Sequence, residues 1–185
     1  MKFRHIHPVV FIGLFFFIKS VIPVFAQDNA ARIAEIRKMY AEAIQLENSG
    51  DSSGCKIGAK TIHQGFDDSS DGIPFTNSCK VCTYSSGYKI YTGDFNGYEW
   101  YNKAFYYFKD DKLFFIFSEG AAEACAWEYR IYYDQNGNAI KILEKSNDCT
   151  GEEPDKSAEI KDPLEKKRIL DEANHDFNAI LEMLK

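Results

Sequence analysis

Two adjacent hairpin signals between Tyr98 and Lys145 constrain this chain more than any other feature. Tyr98 to Phe108 is dense in aromatic residues, Lys109-Asp-Asp-Lys112 is polar and turn-prone, and Leu113 to Phe117 resumes the apolar run. With Asp110 and Asp111 at the centre of the turn, Phe108 faces Leu113 and Tyr106 faces Phe115. The second hairpin runs from Ala126 to Tyr133, through Asp134-Gln-Asn-Gly-Asn138, and back along Ala139 to Glu144. Its Asn136-Gly137 pair suits the positive φ values of a type I′ turn. Four antiparallel strands in sequence order follow, and a sheet of this kind needs a cover for any apolar face.

The flanking segments supply that cover. Ile33, Ile36, Tyr40 and Ile44 recur at helical spacing, and the periodicity predicts a helix over 28–47, capped by Asp28 or Asn29 and closed by Asn48-Ser-Gly50. Leu164, Leu170, Ala173, Phe177, Ile180, Leu181 and Leu184 predict a second helix over 163–185, with Pro163 in its first turn. Residues 48–78 are rich in Ser, Gly and Asp and read as irregular loops, with a short strand possible at Lys60 to Gln64. Cys79 to Tyr84 and Gly87 to Thr92 read as strand, so the meander spans 79–145. The expected fold is α+β: an antiparallel meander of five to six strands packed with an N-terminal and a C-terminal helix in one domain over 27–185.

Residues 1–26 read as a secretory signal peptide: Lys2 and Arg4 precede an apolar run from Val9 to Phe17, and Val24-Phe-Ala26 offers a small-residue cleavage site. Lys19 and Pro23 interrupt the run, which argues against a lasting membrane span. This segment holds Lys2, Arg4 and Lys19 and no acid, so the mature chain carries 19 basic and 28 acidic side chains, a net charge of −9. Such a surface repels nucleic acid phosphates. All five cysteines, Cys55, Cys79, Cys82, Cys125 and Cys149, follow the leader, as expected for a periplasmic or secreted protein with disulfides. An odd count leaves one thiol without an intramolecular partner.

The second hairpin permits a specific pairing. With facing residue numbers summing to about 273, Cys125 lies opposite Asp148 and beside Cys149, which predicts a Cys125–Cys149 disulfide. Cys55 is then expected to join Cys79 or Cys82. The Cys79-Lys-Val-Cys82 spacing matches redox and zinc motifs, but the strand-forming residues after it lack the helix N-terminus that activates a redox thiol, and no second close cysteine pair exists for zinc.

Other candidate chemistry is sparse. Asp67-Asp-Ser-Ser-Asp-Gly72 places oxygen ligands at Asp67, Ser69 and Asp71 in the order of a calcium loop, although Ser78 stands where a bidentate Glu belongs. No other cofactor is indicated. A Cys/His pair using His63 would suit a small periplasmic hydrolase or thiol enzyme, and Glu119, Glu123 and Glu128 offer carboxylates. Beyond the leader there remain 9 Phe, 11 Tyr and 2 Trp, many of them adjacent in strands, where neighbours point to opposite faces. Either helices cover both faces or one aromatic face is exposed. Tyr98, Trp100, Tyr101 and Tyr106 are therefore the candidate binding surface of a non-enzymatic module for a protein or glycan partner. The alternatives are the enzyme above and a structural envelope protein.

Ile33-Ala-Glu-Ile-Arg-Lys-Met-Tyr40 and Tyr132-Tyr-Asp-Gln-Asn-Gly-Asn-Ala-Ile140, with the leader and final helix, resemble the small, exported, uncharacterised proteins of Gram-negative Bacteroidota. That resemblance implies the helix–meander–helix order and no particular activity.

Overall fold

A computed structural model of the chain describes residues 24–50, 54–64, 72–147, 149 and 157–185. Helix α1 (Val24–Asn48) is followed by strands β1 (Cys55–Gln64), β2 (Ile73–Thr83), β3 (Tyr88–Asn96), β4 (Trp100–Lys109), β5 (Lys112–Ala122), β6 (Cys125–Tyr133), β7 (Ala139–Ser146) and β8 (Ala158–Glu159), and by helix α2 (Pro163–Met183). The strands form one antiparallel sheet in strict sequence order. The α+β class holds, but the sheet has eight strands rather than five to six. Residues 48–78, read as irregular loops with a short strand possible at Lys60 to Gln64, contain a longer β1 that starts at Cys55 and the start of β2. Pro74 belongs to that missed region. It lies opposite His63, whereas β2 meets β3 only from Ser78 onward, so its absent N–H interrupts no ladder on the β3 side.

Helix α1 begins four residues before the expected start, so Asp28 and Asn29 lie inside it rather than at its cap. Most of the expected leader, residues 1–23, lies outside the described residues, as do Asp67, Ser69 and Asp71. Among the described residues no helix is long and apolar enough to cross a membrane.

Strand alternation divides the aromatics between two cores. Tyr91, Tyr106, Ile116, Ile131 and Ile142 pack with Ile169, Phe177 and Ile180 of α2, while Ile90, Tyr107, Phe115 and Tyr132 pack with Ile36, Tyr40 and Ala43 of α1. Neighbours such as Tyr106 and Tyr107 serve opposite faces, so each face has its own helix. Leu164 and Leu181, expected on the apolar side of α2, are exposed, and Ile169 is buried in their stead.

The turns refine the register. Asp110 and Asp111 both adopt positive φ (50° and 59°), as a type I′ turn requires. Phe108 faces Leu113, but a register shift between Tyr107 and Phe108 then pairs Tyr106 with Ile116 rather than Phe115. The extra residue lets Phe114 and Phe115 both join the α1 core. In the second hairpin only Gly137 has positive φ (85°), and its N–H donates to the Asp134 carbonyl. This is a type I turn closed by a left-handed glycine, not the type I′ turn expected. The Asp134 carboxylate accepts from the Asn138 side-chain amide and from the backbone N–H groups of Asn138 and Asn136, which stabilises that longer loop and lowers the carboxyl's pKa.

Cys125 pairs with Cys149 and Cys55 with Cys82. Cys55 and Cys82 are direct cross-strand partners. Cys79, three residues earlier on β2, points to the opposite face, into the α2 core, where burial raises its pKa and its Sγ lies 3.8 Å from the Ile180 carbonyl.

Candidate functional site

Helix α2 does not close over the whole sheet. Beside its N-terminal half lies a cleft of about 590 Å³, floored by β4 to β7, walled by α2 and rimmed by the Cys125–Cys149 disulfide. Both tryptophans of the chain line it. Trp127 lies over its cross-strand partner Gly120, where an added Cβ would meet Trp127 Cζ2 at 2.5 Å and the Tyr101 carbonyl oxygen at 2.6 Å. Trp100 similarly covers Gly97. Bare glycine backbone is what lets each indole lie down on the sheet.

Polar side chains from four strands and the helix complete the cleft. Ser118 Oγ donates to Asn102 Oδ1 at 3.1 Å, and Asn102 Nδ2 donates to Asp176 Oδ2 at 2.7 Å. Burial pushes the Asp176 carboxyl up to about 6, with Glu172 adding to the rise, while His175 and the Asn102 hydrogen bond oppose it. Nearer the start of α2, Arg168 Nη2 donates to Tyr129 Oη at 3.2 Å, and Tyr129 lies 3.2 Å from Glu144 Oε1, to which its hydroxyl donates. Glu165 and Glu172 hold the Arg168 guanidinium in place at 2.6 Å each and raise its already high pKa. Tyr106 forms part of the floor, and its hydroxyl donates to the Ala173 carbonyl at 2.6 Å, tying α2 to β4. The cleft thus offers indole faces beside a carboxamide, a hydroxyl and carboxylates at fixed positions.

The residues singled out from sequence separate here. Tyr98, Trp100 and Tyr101 are 53%, 37% and 41% exposed, whereas Tyr106 is 1% exposed and reaches the cleft only as part of its floor. Trp100 alone of the exposed three lines the cleft. Cys55 is consumed in a disulfide and His63 stands at the other end of β1, its Nδ1 3.2 Å from the Gly72 carbonyl, so the two form no catalytic pair. Glu119 and Glu128, two of the candidate carboxylates, are cross-strand partners in β5 and β6. Among the described residues no group of three or more His, Cys, Asp or Glu side chains could hold a metal ion.

Sequence reasoning missed Trp127, Asn102 and Asp176. The hairpin turns do contain the signal for the first two, since Asn102, Gly120 and Trp127 form one row across β4, β5 and β6. Asp176 joins them only through the docking of α2. Comparison with known proteins finds no family model, no curated protein and no solved structure that matches this chain.

Proposed function

We propose that this protein is an exported, non-enzymatic binding module that takes a glycan in the cleft beside α2. The observation that carries this reading is the convergence of both tryptophans with Asn102, Ser118, Glu144 and Asp176 on one concavity. A sugar ring has apolar C–H faces that pack on indoles and hydroxyl groups that act as both donor and acceptor. Carboxamide and carboxylate side chains fixed by a hydrogen-bonded network match those hydroxyls without large ordering costs. The volume lies in the range of about 300–1,000 Å³ typical of ligand pockets. Two disulfides suit an oxidising, extracytoplasmic compartment.

The test is an array of bacterial-surface oligosaccharides probed with the disulfide-bonded protein. Retention of one or more sugars, lost on Asn102→Ala and Trp127→Ala, is the expected outcome. Sugars retained equally by both variants would place recognition elsewhere. A protein partner is the second reading, favoured by the exposed Tyr98 and Tyr101 next to Trp100. It predicts that partner capture is lost on Tyr98→Ala with Tyr101→Ala and is indifferent to Asn102→Ala.

A further inference from the structure

The opposite face of the sheet holds a second concavity, of different chemistry. Between α1 and strands β5 to β7 lies a cavity of about 480 Å³ lined by Ile36, Tyr40, Phe115, Phe117, Tyr132 and Leu143, and by two cations, Arg37 and Arg130. The apolar wall is rigid: the Tyr40 ring sits 5.1 Å from Tyr107 and 4.9 Å from Phe115, and Phe115 sits 5.1 Å from Tyr132. Arg130 stands across from Phe117 on one neighbouring strand and Leu143 on the other, so its stem runs among apolar side chains. Arg37 has no ion-pair partner among the described residues, and Arg130 meets one carboxylate, Glu128, at 2.7 Å. Glu128 Oε1 is buried there without a well-aligned hydrogen bond, which makes the contact a charge pair and leaves other guanidinium N–H groups of Arg130 to donate elsewhere.

We propose that this cavity is a binding site for an amphipathic carboxylate, its apolar chain lying against Tyr40, Phe115 and Phe117 and its carboxylate bridging Arg37 and Arg130. Both arginines line the same cavity, Arg37 exposed and Arg130 only in part neutralised by Glu128, so an anion seated there meets two cations, and an arginine fork matches a carboxylate bidentately. The aromatic and aliphatic side chains beside the two arginines favour an anion that carries apolar surface over a small, strongly hydrated ion that brings none. The concavity has the size of a small-molecule pocket rather than of a protein interface. This site shares no lining residue with the glycan cleft and stands whether or not that reading holds.

The experiment is a calorimetric titration of the disulfide-bonded protein with decanoate and decyltrimethylammonium below their micellar concentrations and with decanol below its solubility limit. Decanoate should saturate one site per chain and bind about tenfold or more tighter than decanol, the margin expected for a charge-assisted hydrogen bond. Arg37→Gln with Arg130→Gln should erase that preference, Arg130→Lys should keep part of it, and Asp176→Asn on the other face should leave it unchanged. Circular dichroism melting of each variant confirms that it is folded. Equal affinity for decanoate and decanol, a preference that survives the double variant, stronger binding of the cationic detergent, or no saturable decanoate binding would each overturn the proposal.

Discussion

The two faces of this sheet are built from the same strands, yet they carry opposite chemistry. On the α2 side the row beyond the helix reads Asn102, Gly120 and Trp127, and the approaching helix brings Arg168, Glu172 and Asp176, so the open end is polar, with carboxylates in excess over one paired arginine, and lined with indoles. On the α1 side the corresponding open row reads Phe117, Arg130 and Leu143, with Arg37 from the helix, so it is apolar and cationic. The comparison teaches that alternation assigns the residues to faces, while each helix, by covering part of its face, decides which row is left as a site.

The helices also differ in how they are held. Asp162 caps α2, its carboxylate accepting from the Leu164 N–H, and Pro163 follows as first helical residue. Helix α1 has no acidic residue in its first turn and no basic residue in its last. It is anchored instead by side chains reaching the sheet, with the Tyr88 hydroxyl donating to Glu42 at 2.6 Å and Arg32 Nε donating to the Tyr133 carbonyl at 3.2 Å. Burial raises the Glu47 carboxyl at the end of α1.

The largest expected effect asks whether both helices are integral to the fold. Ile36 of α1 and Ile180 of α2 are both 0% exposed, and truncation of either to alanine should cost about 2–5 kcal/mol in chemical denaturation. A cost below about 1 kcal/mol for Ile36→Ala alone would show that α1 is a loosely held cover and that only the α2 face depends on its helix. Next come the disulfides. Replacing either pair with alanine should cost about 3 kcal/mol in the chain-entropy model, since the two loops have similar separations of 27 and 24 residues. Only loss of Cys125–Cys149, which borders the cleft, should also shift tryptophan emission.

Asp176→Asn sharpens the contrast in electrostatics. Because the folded-state pKa of Asp176 is raised to about 6, the protonated form is the one the fold prefers. Its stabilising contribution is complete below the ordinary carboxylate range and is lost as pH rises through 6. The variant should match the parent near pH 4 and exceed it by about 1–2 kcal/mol at pH 8, a figure discounted for partial solvent access. Denaturation curves at the two pH values decide this, and an equal difference at both would remove Asp176 titration from the account. The smallest effect is Asp162→Ala, which should cost about 1 kcal/mol through the lost N-cap, read as a fall in melting temperature.

Much of this architecture was legible in residue order. The facing sum of 273 pairs Tyr132 with Lys141 and Trp127 with Ser146, which is why Cys125 and Cys149 meet. Only the Lys60 to Gln64 half of β1 was legible, because Cys55-Lys-Ile-Gly-Ala59 lacks the aromatic run of the meander and lies on an edge, with Ile57 79% exposed. Phe114 hid a bulge, since a run of apolar residues gives no period to count. The cleft was the least legible element. Its polar groups come from strands and a helix distant in sequence, and their meaning arises only when α2 docks and the two glycines admit the indoles.

Because the chain has two tryptophans and both line the cleft, their emission reports on this face of the sheet and not on the cavity beneath α1. The most direct test is therefore a fluorescence titration of the folded protein with a soluble panel of bacterial-surface oligosaccharides, repeated on Trp100→Ala and Trp127→Ala. At least one sugar should shift the emission saturably, and each substitution should weaken its binding about tenfold or more, while decanoate leaves the emission unchanged. A panel that produces no saturable shift, or a sugar bound with unaltered affinity by both variants, would contradict the assignment of this cleft as the ligand site.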